Sequence, residues 1–287
     1  MKNILITGAS GNIGIELIRF LSPIEGVNLF AGVRNVDKAS MLFAHYPNLL
    51  CRTFDFEDAA SFESALNDID TIFLLRPPHL ADVNKYFLPL VEQIKVKGIR
   101  KVVFLSVQGA EKSKVIPHNK IEQLIVDTGL DYIFIRPSYF MQNLTTTLLG
   151  DIQTKKKIIL PSGKAKFNWI DINNIAEVAA ILLARFDEFK NKAYELTGYE
   201  NENFDNVVNQ MNSIIARPIQ FQSVSPFKFY GIKKKEGMIK GVIIVMIMLH
   251  FLPRIQKEPT ISDFYEKITG KKPTSLQDFI QREKGHF

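Results

Sequence analysis

The chain predicts a doubly wound α/β fold, a parallel sheet covered by helices on both faces, and three observations carry that prediction. A short apolar run, Asn3 to Thr7, opens the chain and is cut off by a glycine-rich turn, Gly8-Ala-Ser-Gly11-Asn-Ile-Gly14. A helical pattern follows with Ile13, Leu17, Ile18 and Leu21 on one side, and a second apolar run, Val27 to Val33, completes a strand–helix–strand unit. Beyond it, short apolar runs keep alternating with helical stretches of about 10 to 15 residues, the rhythm of parallel strands joined by crossover helices.

The glycine turn carries the chemistry. Three glycines recur at a spacing of three: one lets the chain leave the strand, one lets backbone approach a pyrophosphate, and one lets the new helix pack closely. The helix then presents its unpaired N–H groups and positive dipole end to the loop. Because the pattern follows a strand and opens a helix, it reads as a dinucleotide site, with Gly8, Ser10, Gly11, Asn12, Ile13 and Gly14 as cofactor contacts. At the end of the second strand an acidic residue would bind a ribose 2′-hydroxyl, whereas an arginine suits a 2′-phosphate. Arg34 stands there, with Lys38 one helical turn on, so the expected cofactor is NADP(H).

The remaining elements follow in order. Leu49 to Phe54 is a third strand ending at Asp55-Phe56-Glu57-Asp58, where Asp55 and Phe56 fall at a carboxyl end of the sheet and Asp58 suits the cap of a helix from Ala59 to Leu66. Thr71 to Leu75 is a fourth strand, stopped by Arg76-Pro77-Pro78, which places Leu75 and Arg76 beside the cofactor and Pro77 toward a substrate. A helix from Val83 to Val96 leads to a fifth strand, Lys101 to Leu105, and then Ser106. A helix from His118 to Thr128, stopped by Gly129, precedes a sixth strand, Tyr132 to Ile135, halted by Arg136-Pro137.

Past Pro137 the rhythm changes. Strands at Lys157 to Leu160 and Phe167 to Ile170, and a helix from Asn173 to Arg185 after a cap at Asp171, are expected to return to the main sheet. Tyr194 to Thr197 is a short strand, Phe204 to Ala216 an amphipathic helix, Ile219 to Ser223 a strand, and Thr274-Ser275 caps a last helix from Leu276 to Arg282. The division expected is a dinucleotide-binding Rossmann core over 1–145, completed by about 155–200, and a smaller, mostly helical substrate cap over 201–287 with a cleft between them.

Composition agrees with a folded core: 287 residues, 46% hydrophobic and 11% aromatic. The net charge of +6 is interspersed, its densest runs only three lysines long, which argues for solvated faces over a nucleic-acid footprint. The single cysteine, Cys51, excludes an internal disulfide and reads as a small buried hydrophobe in a reducing, cytoplasmic setting. The apolar stretch from Gly241 to Leu252 is too short for a membrane span, which needs about 20 residues; a buried helix, an oligomer face or a lid over an apolar pocket remain open. No metal site is expected, and the chain is read as a monomer or homodimer.

The Thr7-Gly-Ala-Ser-Gly-Asn-Ile-Gly14 loop resembles that of the short-chain dehydrogenase/reductase family, in which a serine after the fifth strand joins a Tyr-x-x-x-Lys pair on the next helix. Ser106 matches that serine. The pair is missing: the sole Tyr-x-x-x-Lys, Tyr230 to Lys234, lies far from the required helix. That helix instead opens His118-Asn-Lys-Ile-Glu122, and is followed by Gly-Leu-Asp-Tyr-Ile-Phe-Ile-Arg-Pro and Phe140-Met-Gln-Asn143, a combination that resembles the atypical NmrA-like branch. The resemblance implies an NADPH-dependent oxidoreductase passing hydride to a small apolar conjugated carbonyl such as a quinone, or alternatively a non-enzymatic NADP(H)-binding redox sensor acting through a protein partner. His118 falls where isoflavone-type reductases carry a catalytic lysine and is the candidate catalytic residue, since its ordinary pKa lies near neutrality. Lys120 points away from it on the helix and reads as solvated. Phe140, Asn143 and Trp169, with the methionine-rich helix near 238–249, are the candidate substrate wall.

Overall fold

The strand that opens the chain, β1 (Lys2–Thr7), is apolar from Ile4 to Ile6 and fully buried there, as a strand covered on both faces by helices must be. The structure, a computed structural model, describes residues 1–215 and 217–287. From β1 the chain runs through α1 (Asn12–Leu21), β2 (Val27–Val33), α2 (Val36–Leu42), β3 (Leu49–Thr53), α3 (Ala60–Ala65) and β4 (Thr71–Leu75). It continues through α4 (Val83–Tyr86), α5 (Leu88–Val96), β5 (Lys101–Leu105), α6 (Pro117–Asp127) and β6 (Asp131–Pro137). There it leaves the first of two compact units for β7 (Tyr139–Phe140), α7 (Leu149–Lys155), β8 (Lys157–Leu160) and β9 (Phe167–Ile170). It returns with α8 (Ile172–Ala184), α9 (Phe186–Phe189) and β10 (Lys192–Leu196). The second unit is completed by β11 (Asn201–Glu202), α10 (Phe204–Ile214), β12 (Gln220–Ser223), α11 (Pro226–Lys235), α12 (Lys240–Phe251), α13 (Phe264–Thr269) and α14 (Leu276–Glu283).

The first unit is a seven-stranded, wholly parallel sheet in the order β10-β6-β5-β4-β1-β2-β3. The strand order reverses between β1 and β4, which leaves a crevice outside their carboxyl ends where the crossovers diverge to opposite faces. On one face α1 packs against α8, whose small residues Ala176, Ala179 and Ala180 are buried. The apolar core on the other face joins Phe54, Phe56 and Phe62 to Phe87, Phe104 and Phe134.

Several elements differ from the sequence expectation. The helix read over Val83 to Val96 is two helices joined at Phe87, because Pro89 has no N–H to continue the hydrogen-bond ladder. β6 runs through Arg136-Pro137 instead of halting before them: Pro137 lies opposite Leu196 of β10, and its carbonyl accepts from the Gln108 N–H, so the ring removes only a donor the position does not use. β8 and β9 do not join the main sheet. β8 pairs with β12, and β9 sits between β7 and β11, so only residues 172–196 return to the first unit and 138–171 belong with 197–287. Cys51 is half-buried because its strand, β3, is the sheet edge. Ala216, the expected end of one helix, lies outside the described residues; α10 itself ends at Ile214.

The second unit has its own core, built from aromatic rings of β7, β9 and α10. Tyr139, Phe167, Trp169 and Phe204 meet mostly edge to face, with Tyr139 and Trp169 centroids 4.8 Å apart.

One polar contact ties β1 to β4. The buried Thr7 hydroxyl donates to the Phe73 carbonyl (3.2 Å) and accepts from the Leu75 N–H (2.8 Å). Thr7→Val keeps the shape and strands both partners, so it should destabilise the chain by about 1–3 kcal/mol in denaturant unfolding, while Thr7→Ser should retain most of the stability.

Candidate cofactor and active site

The site grows from the end of β1. Gly8 holds φ at +62°, a left-handed turn that side chains resist, and a Cβ there would stand 3.1 Å from Leu75. Gly14 is more tightly constrained: a Cβ would lie 2.5 Å from the carbonyl oxygens of both Gly8 and Ala9. The third glycine therefore lets α1 close on the backbone of its own loop, so the loop and the helix amino end form one rigid cradle. Gly11 caps α1 in an extended conformation, and no side chain caps the helix. The N–H groups of the first turn, from Asn12 and Ile13 on, are thus directed at whatever lies beyond the loop, and Ser10 is exposed at its rim.

Arg34 follows β2 directly and is exposed, with no carboxylate partner among the described residues. Lys38, also exposed, lies in the first turn of α2, and its N–H is held by the Asn35 side chain. Asp55 is half-buried, and its carboxylate accepts from the Glu57 N–H at 3.0 Å, closing its own turn. The Phe56 ring is buried in the core, edge-on to Phe54 at 5.0 Å, so this candidate contact has only its backbone left to offer. Asp58 accepts from the Ala60 N–H, but it stands one residue before the cap position of α3, which Ala59 occupies without a side-chain bond.

At the end of β4, Arg76 gathers the following loop. One guanidinium nitrogen donates to the carbonyls of Pro77, Pro78 and Leu80 (3.1, 3.1 and 2.9 Å), and Nε donates to Nε2 of His118 at 3.4 Å. His118, the second residue of α6, stacks on Phe104 with centroids 6.1 Å apart. Burial, and then the Arg76 charge, push its pKa down to about 3. The expectation that this histidine titrates near neutrality is therefore corrected: it is a neutral imidazole whose Nε2 lone pair faces a cation.

Ser106 directly follows β5. Its N–H donates to the Ile135 carbonyl; the residue is 2% exposed, and its buried hydroxyl has no hydrogen-bond partner among the described residues. A buried orphan hydroxyl costs about 1–3 kcal/mol unless something outside the protein satisfies it. On the neighbouring strand β6, Arg136 forms a fork with Glu122 (3.0 and 2.6 Å) and reaches Glu111 at 2.8 Å, bracing β6 against α6.

These residues fit a dinucleotide. A cradle that a methyl group at Gly14 would fill, an uncapped helix end, an uncommitted arginine after β2 and an orphan hydroxyl at the end of β5 all belong to the first unit, at carboxyl ends of its strands. Phe140, Asn143 and Trp169 belong to the second unit. Trp169 is fully buried there and its Nε1–H donates to the Glu202 carbonyl at 3.0 Å, so it is corrected from a pocket wall to a core residue; Phe140 and Asn143 remain partly open. Thr7 and the Arg136 fork were missed by sequence reasoning. The available signal for Thr7 was a lone hydroxyl in an apolar strand directly before the glycine turn.

A profile of the NmrA-like family matches residues 1–271. The chain belongs to the NmrA-like family. Among curated relatives, it is 27% identical over 280 residues to prestalk A differentiation protein A of Dictyostelium discoideum, covering 97% of this chain and 91% of that one. It is 24% identical over 288 residues to an NAD(P)H azoreductase of Xenophilus azovorans, covering 99% of each. Among solved structures, a Citrobacter triphenylmethane reductase complexed with NADP(H) superimposes with a TM-score of 0.84 at 22% identity, covering 98% of this chain and 99% of that one. The NmrA-like fold thus spans both units of the chain.

Two outcomes test the site. Gly14→Ala should cut NADPH affinity by about tenfold or more in calorimetry, because the methyl meets two backbone oxygens that cannot yield without opening the cradle. Gly231→Ala, in α11 with nothing within 4 Å, should leave it unchanged. The second outcome concerns pH. Below pH 6.5 the unfolded chain protonates His118, whereas the folded chain keeps it neutral down to about 3. Stability present above pH 6.5 is therefore lost as pH falls through that window, and His118→Asn should make the fall of Tm between neutrality and pH 4 shallower than in the parent.

Proposed function

We propose that this protein is an NADPH-dependent oxidoreductase that reduces a small, apolar, conjugated acceptor, a quinone-like carbonyl being the leading class. The observation that carries the reading is the glycine cradle at the reversal of strand order with Arg34, rather than a carboxylate, after β2. The azoreductase and the dye reductase support it, because both names denote acceptors with extended conjugation. When bound, the nicotinamide supplies the hydride.

The protein's part is binding and orientation. Amides of the loop and the α1 amino end would hold the pyrophosphate, and Arg34, with Lys38, would hold the 2′-phosphate by charge-assisted bonds. The Ser106 hydroxyl gains the partner it lacks within the chain. Arg76 keeps the Leu75 to Leu80 loop closed, and His118, a poor acid at neutral pH, acts as a positioning residue that fixes Arg76. Asp55 contacts the adenine half of the cofactor, and Pro77 is the substrate contact retained within the first unit.

A second reading, a non-enzymatic NADP(H) sensor, is favoured by one specific observation: no group with a near-neutral pKa stands in the place of the absent Tyr and Lys pair, since His118 is held neutral. The Dictyostelium relative, whose name denotes differentiation and no reaction, is compatible with it. Turnover of NADPH against quinones, azo dyes and aldehydes, with titration of NADP and NADPH on the same sample, separates the two. Turnover supports the enzyme; no turnover with unequal affinities supports the sensor, because a ligand pair bound equally shifts no equilibrium.

Two variants sharpen this. Arg34→Asp should shift the ratio of NADPH to NADH affinity toward NADH by about tenfold or more, and an unchanged ratio would move the phosphate contact elsewhere. His118→Ala should lower kcat/KM without adding or removing an ionisation near pH 6.5 in the rate profile, and His118→Gln, whose amide oxygen can still accept from Arg76, should recover most of the loss. Loss of a limb near pH 6.5 in the alanine variant would restore His118 as the acid.

A further inference from the structure

The helix α12 is apolar all round: between Lys240 and Arg254 no charged residue occurs. A helix of this kind ordinarily lies inside a core. Here one side does: Ile243, Met246 and His250 are buried in the second unit. His250 secures it, with Nδ1 bonded to the Met246 carbonyl at 2.7 Å and Nε2 to the Tyr139 hydroxyl at 2.9 Å. The other side has no cover among the described residues. Val242, Ile244, Val245, Met248, Leu249 and Leu252 are exposed, Val245 to 54%, and at about 100° per residue they fall in one sector of about 160° with no polar side chain among them.

The charge around this sector is one-sided. Residues 226–257 contain seven lysines and arginines and one acidic residue, an excess of six that equals the net charge of the whole chain, so the rest of the sequence is balanced. Lys233 is buried and paired with Asp151 and Glu236. The other six, Lys228, Lys234, Lys235, Lys240, Arg254 and Lys257, are exposed and have no carboxylate partner among the described residues. Lys228, Lys234 and Lys235 sit on α11, which packs against α12; Lys240 opens α12, and Arg254 and Lys257 lie in the segment that follows it.

We propose that α12 with its basic flanks is a membrane-surface site that docks on an anionic lipid bilayer without crossing it. The helix has 12 residues, short of the roughly 20 a span needs, and among the described residues no helix is long and apolar enough to cross. An apolar face rimmed by lysine and arginine is the composition that lies in the interface, with side chains entering the acyl boundary and cations meeting lipid headgroups. Charge decides against the two other occupants. A second copy would set two like-charged segments against each other, and nucleic acid would leave the six apolar side chains without a partner.

Vesicle co-sedimentation tests this with the full chain. The protein should pellet with vesicles of phosphatidylcholine and phosphatidylserine, not with phosphatidylcholine alone, and less as salt rises. Val245→Glu with Leu249→Glu, and separately Lys234→Glu with Lys235→Glu, should each weaken binding by about tenfold or more, at exposed positions where folding is unaffected by circular dichroism. No sedimentation, or sedimentation indifferent to both pairs, overturns the proposal. So does a dimer in light scattering that the Val245 and Leu249 pair converts to monomer, since the face would then be a contact between copies.

Discussion

The close approach at Gly14 governs the first unit. Because the position of a Cβ is occupied by the carbonyl oxygens of Gly8 and Ala9, α1 starts flush against the loop that leaves β1, and no side chain caps its first-turn amides. The Thr7 hydroxyl then binds β1 to β4 at the same level, which fixes the edge of the crevice opened by the reversal of strand order. In the proposed cofactor site, uncapped amides beside a pinned crevice would offer a phosphate a preformed cradle, and preorganisation of this kind is where binding free energy is retained.

Burial sets the chemistry of the two well-placed histidines in the same direction. His118 and His250 are both held far below the ordinary imidazole value, to about 3 and about 4, and each places a ring nitrogen against a fixed partner, Arg76 and Tyr139. A neutral imidazole in an apolar setting serves as an oriented dipole, fixing the Arg76 loop in one unit and α12 in the other. For a reaction in which the cofactor carries the electrons, oriented and dry surroundings matter more than a poised acid.

The second unit resolves a conflict between hydrophobicity and surface. Its aromatic core from Tyr139, Phe167, Trp169 and Phe204 takes up one face of α12 and leaves the other facing solvent. Trp169 is drawn fully into that core, and its indole N–H is spent on the Glu202 carbonyl, which removes it from contact with a ligand.

The order of local periods and turn residues was enough to determine the parallel sheet, the glycine cradle and Arg34 after β2, because each depends on residues within a few positions of one another. The same local logic placed the longer crossover helices, except where Pro89 splits one, whereas the helices at Val36–Leu42, Leu149–Lys155 and Pro226–Lys235 were not read from it. What local pattern could not decide was partnership at long range. β8 and β9 read as strands, but which sheet they join depends on β12, β7 and β11. His118 was legible as a residue at the right helix start, yet its charge state depends on Arg76, 42 positions away, and on burial against Phe104. Phe56 and Trp169 look alike in sequence to residues that wall a pocket, and only tertiary packing assigns their rings to cores. Burial and hydrogen-bond partners are properties of the assembled chain, so titration, core membership and the open face of α12 had to wait for the structure.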